Sequence, residues 1–134
     1  MYKHILVALS QDPDDEAVVL HASALAGLTQ AEVLLLHVVH SHSLDEAAFR
    51  RERAEDYLER RAASFSDLGV KVETKVVTSE PSAAIAAIAR ESQADLIVMA
   101  THGHSGVRHL FVGSVTEEVI RQVAIPVLLI TPKE

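Results

Sequence analysis

The chain has no cysteine and no tryptophan, and only two tyrosines and three phenylalanines among its 134 residues. The lack of cysteine excludes disulfides, a thiolate nucleophile and any cysteine-based zinc site. Aromatics make up 4% while hydrophobic residues reach 49%. The core must therefore be built from Val, Ile, Leu and Ala, the mix that suits parallel strands buried on both faces under helices. Basic residues are also few, 12 Lys and Arg against 19 Asp and Glu, for a net charge of −7. A surface made for nucleic-acid phosphates needs clustered Lys and Arg, so neither DNA nor RNA is expected as a partner, although a local anion site stays open. Long apolar runs are missing as well. The first, Ile5 to Leu9, breaks at once into Gln11-Asp12-Pro13-Asp14-Asp15, and nothing reaches membrane-spanning length. A soluble, cytoplasmic protein with a single domain over residues 1–134 is the expectation.

What is present is a regular alternation of segments. Ile5 to Leu9, Val33 to Val39, Leu96 to Ala100 and Val127 to Ile130 are short continuous apolar runs, the mark of strands covered on both sides. Val70 to Val77 instead alternates with Lys71, Glu73 and Lys75, so one of its faces is wet and it belongs at a sheet edge. Asp12 ahead of Pro13, with Asp14, Asp15 and Glu16 behind, predicts a helix capped by Asp12 and beginning at Pro13. Its apolar side is Val18, Ala22, Leu25, Ala26 and Thr29. A long second helix from about Leu44 to Phe65 buries Ala47, Ala54, Leu58, Ala62 and Phe65, and Gly69 ends it. Its many Arg and Glu residues, Arg61 included, read as a solvated face with no binding role. Pro81 opens a third helix, which buries Ala84, Ile85, Ile88 and Ala89. Val115, Val119, Ile120 and Val123 mark a fourth, stopped by Pro126.

Strands alternating with helices in this way predict an α/β fold, a doubly wound five-stranded parallel sheet of order 3-2-1-4-5. The fifth strand is then an apolar edge without charge, which invites strand addition, and a homodimer through Val127-Ile130 is expected. Ligands of such sheets sit where the winding reverses, outside the carboxyl ends of strands one and four. The bordering loops are Ser10-Gln11-Asp12 and Thr101 to Val112. The Asp-rich start of the first helix repels phosphate, so an anion is expected at the last helix, on amides near Gly113, Ser114 and Val115. Ser114-Val115-Thr116-Glu117 also spells a capping box, which needs no ligand. Neither a Walker lysine motif nor Gly-x-Gly-x-x-Gly after the first strand is present, so ordinary P-loop and dinucleotide chemistry is not expected.

Lys3-His4-Ile5-Leu6-Val7-Ala8, Leu35-Leu36-His37-Val38, Ala94-Asp95-Leu96-Ile97-Val98-Met99 and above all the loop from Ala100 onward carry a resemblance. End to end, the chain resembles the universal stress proteins of the small single-domain kind. In the ATP-binding branch of that family the loop reads Gly, two residues, Gly, nine residues, Gly, then Ser or Thr. Here those positions are Ala100, Gly103, Gly113 and Ser114, and Val127-Leu128-Leu129 matches the family's dimer strand. The resemblance implies an adenine-nucleotide alpha-hydrolase-like (Rossmann-like) fold that holds ATP or AMP, with or without Mg²⁺. The phosphates would rest on the amides and hydroxyl around Gly103, Gly113 and Ser114, with His102 and Val115 also among the nucleotide-binding residues. Adenine and ribose would lie by Val38, Met99 and the strand end Ala8, Leu9 and Ser10. The chain departs from the pattern at Ser10, where nucleotide-binding members usually carry Asp, and at Ala100 in place of Gly. The loss of one carboxylate is expected to weaken binding without abolishing it.

Eight histidines are present, with His37, His40 and His42 after the second strand and His102 and His104 after the fourth. The two loops are expected on the order of 10 Å apart, but without Cys or a carboxylate at ligand spacing no metal is assigned. His37, inside an apolar run, reads as a satisfied core histidine. Ser105 or Ser114 with His102 or His104 gives no third member for a catalytic triad, so catalysis beyond incidental ATP hydrolysis is not expected. Two functional readings stay open: a nucleotide-binding regulatory homodimer of the stress response with an unknown protein partner, and a nucleotide-free protein-interaction module of the same fold.

Overall fold

Strands with two apolar faces can be buried only between two layers of helices, and the chain builds that sandwich. The computed structural model describes residues 1–41, 43–101 and 114–131. Strands β1 (His4–Ala8), β2 (Glu32–Val39), β3 (Val72–Thr78), β4 (Leu96–Ala100) and β5 (Val127–Ile130) form one parallel sheet in the order β3-β2-β1-β4-β5. Helices α1 (Asp15–Thr29), α2 (Leu44–Ser66), α3 (Pro81–Glu91) and α4 (Ser114–Gln122) connect them. The fold class and strand order are those expected.

Alternate residues of each strand feed two separate cores. Ile5, Val7, Leu35, Val39 and Val98 pack with Val18, Val19 and Ala22 of α1 and Ala54, Leu58 and Phe65 of α2. Leu6, Leu36, Ile97 and Met99 pack on the other face with Ile85 and Ile88 of α3 and Val119 of α4. The alternating burial of β3 confirms it as a half-wet edge. At the amino end of the sheet Asp95 accepts the amides of Lys3 (2.8 Å) and His4 (3.2 Å), which fixes β1 beside β4 before their own pairing begins.

Helix ends follow local chemistry, with two departures from expectation. α1 begins at Asp15, not at Pro13. The Asp12 carboxylate accepts the Asp14 amide (2.9 Å) and the Asp12 carbonyl accepts the Asp15 amide (3.0 Å), so Asp12 caps a tight turn and Pro13 lies within it. On α4 the buried stripe is Thr116 and Val119, flanked by half-buried Val115 and Val123, while Ile120 is 47% exposed. α3 does begin at Pro81, and its cap is the Glu80 carboxylate, which accepts the Ala83 amide (2.9 Å) and the Ser82 hydroxyl (2.7 Å). The Ala83 amide first, and then the Ser82 hydroxyl, hold that carboxyl below the usual range. Gly69, at φ +80°, ends α2 and lets the Val70 amide return to the Phe65 carbonyl (3.1 Å), a left-handed closure that favours glycine.

Among the described residues, Phe65 is the largest fully buried side chain. Phe65→Ala is expected to cost about 3–5 kcal/mol, read as a lower denaturant midpoint with retained helical circular dichroism.

Candidate functional site

The winding reverses between β1 and β4. β1 is central, its neighbours β2 and β4 lie on either side, and the helices that follow them cover opposite faces. A reversal of this kind puts the ligand crevice of such folds outside the carboxyl ends of the two strands, here between the turn into α1 and the start of α4.

Of the residues singled out from the sequence, Ala8, Val38 and Met99 come together. All three belong to the α3 and α4 face, at the carboxyl ends of three adjacent strands, with Met99 buried and Ala8 and Val38 half-buried. They make an apolar floor. Leu9 and Ala100 point the other way, into the core under α1 and α2, so only their backbones border the crevice. The methyl that Ala100 carries in place of glycine is thus packed in that core and not on the Met99 side. Ser10 is exposed at the strand end, and Val115 is half-buried in the first turn of α4. Ser114 begins α4; its side chain, like His102, Gly103 and Gly113, lies outside the described residues, as does the capping box at that position.

Two hydrogen bonds set the walls. The Thr116 hydroxyl donates to the Thr101 carbonyl (3.0 Å), tying the first turn of α4 to the end of β4. His37, buried as expected, donates from Nδ1 to the Leu9 carbonyl (2.8 Å) and fixes the exit of β1. A carbonyl can only accept, so this bond also fixes the tautomer.

The α1 wall rests on a network that the sequence did not announce. The Asp15 carboxylate, 1% exposed, accepts the amides of Ser10 (2.9 Å) and Gln11 (2.8 Å) and the hydroxyl of Tyr57 on α2 (2.6 Å). Arg61 Nε donates to the same Tyr57 oxygen (3.1 Å), and its guanidinium pairs with Glu16 (3.1 Å). Arg61 is therefore a bridge between α2 and α1, and not part of a purely solvated face. Aiming both amides at one carboxylate places Gln11 at φ +63°, a left-handed conformation that costs about 1–2 kcal/mol and is offset by the charge-assisted bonds it permits. The available signal was a tyrosine and an arginine four apart, at the border of the apolar stripe of α2.

Among the described residues no cluster of three or more His, Cys, Asp or Glu could hold a metal ion, and no helix is long and apolar enough to cross a membrane. A depression of about 230 Å³ lies at the opposite pole among His4, Glu32, Lys71, Glu73 and Ser92. Glu32 there already faces both His4 (4.0 Å) and Lys71 (3.9 Å).

The model of the universal stress protein family matches residues 1–131. The chain belongs to the universal stress protein family. Among its relatives, universal stress protein MJ0577 of Methanocaldococcus jannaschii is 28% identical over 99% of this chain and 97% of its own. The solved structure of MJ0577 superposes with a TM-score of 0.89 at 30% identity, covering 100% of this chain and 99% of the other. The Archaeoglobus fulgidus universal stress protein, solved in complex with dAMP, superposes with a TM-score of 0.74 at 25% identity, covering 96% and 97%.

Burial first, and then the hydrogen bond to Asp15, push the Tyr57 phenol from 10.0 up to about 12. An acid whose folded pKa is raised holds its proton more tightly when folded, so this stabilisation is complete below pH 10 and disappears as pH climbs to about 12. The tyrosinate absorbance step that Tyr57→Phe removes is expected near pH 12, accompanied by loss of folding stability over the same interval.

Proposed function

We propose that this chain is an adenine-nucleotide-binding regulatory homodimer of the stress response, holding ATP or AMP, with or without Mg²⁺, in the crevice between β1 and β4. The observation that carries the reading is the floor of Ala8, Val38 and Met99, an apolar seat for a flat ring, set beside a helix start tied down by Thr116. Phosphates would rest on the amides at the start of α4, around Gly103, Gly113 and Ser114, where the helix dipole favours negative charge. The dAMP complex of the Archaeoglobus fulgidus relative supports a nucleoside monophosphate as a fitting ligand. The role is binding and signalling to a protein partner in the cytoplasm; catalysis amounts at most to incidental ATP hydrolysis.

Titration calorimetry with AMP and ATP is expected to show saturable binding that Gly113→Asp weakens by about tenfold or more, since a carboxylate at the helix start opposes phosphate. No heat at millimolar nucleotide, and no nucleotide released on denaturing the purified protein, would leave the nucleotide-free interaction module as the function.

The homodimer would form on β5. Among the described residues its outer edge pairs with no other strand; it carries Val127, Leu128 and Leu129 with no charge, and Leu128 is 38% exposed. Sedimentation is expected to give a dimer that Leu128→Asp converts to monomer; a monomer at micromolar concentration in both proteins rejects this assembly.

A further inference from the structure

The amides between β1 and α1 can be accounted for almost completely. Leu9 donates to the Leu36 carbonyl (2.9 Å), Ser10 and Gln11 to the two oxygens of Asp15 (2.9 and 2.8 Å), and Asp14 to the Asp12 carboxylate (2.9 Å). Asp15 donates to the Asp12 carbonyl (3.0 Å), Glu16 to the Pro13 carbonyl (3.3 Å), and Pro13 has no amide to give. The Ser10 and Gln11 amides converge with Gln11 in the left-handed region, the geometry of a backbone nest that takes an anion. In many doubly wound folds the turn after the first strand is where a ligand's phosphate binds. Here the anion in that nest is the protein's own carboxylate.

We propose that Asp15, held in place by Tyr57, fixes the orientation of a phosphate-bearing ligand in the crevice, with its anionic end towards α4 and away from α1. This rests on reading the crevice as an adenine-nucleotide site. Two physical effects act together. The nest is filled, so the α1 wall offers no converging pair of amides. The same wall carries Asp12, Asp14, Asp15 and Glu16 within five residues, whereas the first five residues of α4 carry two acids, Glu117 and Glu118. Tyr57 is a positioning residue: its hydroxyl (2.6 Å) holds the carboxylate under the turn, and Arg61 (3.1 Å) holds the tyrosine. The carboxylate lost at Ser10 is not replaced by Asp15, whose oxygens face the turn's amides and α2.

The test is amide NMR of the whole protein titrated with inorganic phosphate and, separately, AMP. In the unaltered protein, phosphate is expected to leave the Ser10 and Gln11 signals unmoved. In Asp15→Ala/Tyr57→Phe, which removes the carboxylate together with the hydroxyl that donates to it and leaves the Ser10 and Gln11 amides free for an added anion, both signals are expected to shift with phosphate, and added formate to suppress that shift. Asp15→Asn keeps the side-chain volume and leaves one acceptor for two amides, so one of the two signals is expected to respond; it serves also where the double variant does not fold. The proposal is overturned if Ser10 and Gln11 respond to phosphate in the unaltered protein, or stay silent in either variant with a dispersed spectrum. Absence of any AMP response in the unaltered protein would instead remove the nucleotide reading, and the phosphate response of the variants would still decide the role of Asp15.

Discussion

A parallel sheet whose two faces are both apolar has to be covered twice, and right-handed crossovers allow that only if the chain winds outward in one direction and then in the other. Everything else here depends on that constraint. β1 is laid down first, α1 and α2 are spent on one face, and the chain must then cross from β3 back past β1 to place β4. The strands themselves show the demand: Leu6 and Val7, neighbours in sequence, point to opposite cores and are both fully buried. The crevice follows from the reversal, because the helices beside β1 and β4 diverge to opposite sides.

Its two walls are built by different means. The α4 wall is anchored through backbone carbonyls at the end of β4, by the Thr116 hydroxyl. The α1 wall is anchored through a buried charge, and a buried carboxylate is tolerable only when its lone pairs are taken by donors. Asp15 has three such donors from two separate parts of the chain. This makes the exit of β1 and the middle of α2 one unit, even though Gln11 and Tyr57 are far apart in sequence.

The sheet, its order and its edge strand were legible because strand burial writes itself into residue type: uninterrupted Val, Ile and Leu inside, and Lys71, Glu73 and Lys75 alternating at the edge. The floor residues Ala8, Val38 and Met99 were legible for the same reason, through strand ends and family pattern. What was not legible depends on three-dimensional pairing. Asp12, Asp14, Asp15 and Glu16 look alike as a run of helix-start acids, and only the fold buries Asp14 and Asp15 and turns the Asp15 carboxylate onto the amides of the turn. Arg61 looks like its neighbours Arg60 and Arg53 until α1 is placed beside it. The capping role of Glu80 was likewise hidden, since Pro81 announced the helix start while naming no cap. Ala100 illustrates the converse: its departure from glycine is visible in sequence, but the direction of its methyl depends on strand parity and packing.

The scarcity of aromatic residues has a practical side. With no tryptophan, the intrinsic emission of this protein is that of tyrosine, and there are two of them. Tyr57 donates to a carboxylate at 2.6 Å, one bond away from the amides of the turn that walls the crevice. The molecule thus carries an unlabelled optical reporter at the junction of α1 and α2, and any partner or ligand that displaces the turn changes the surroundings of that phenol.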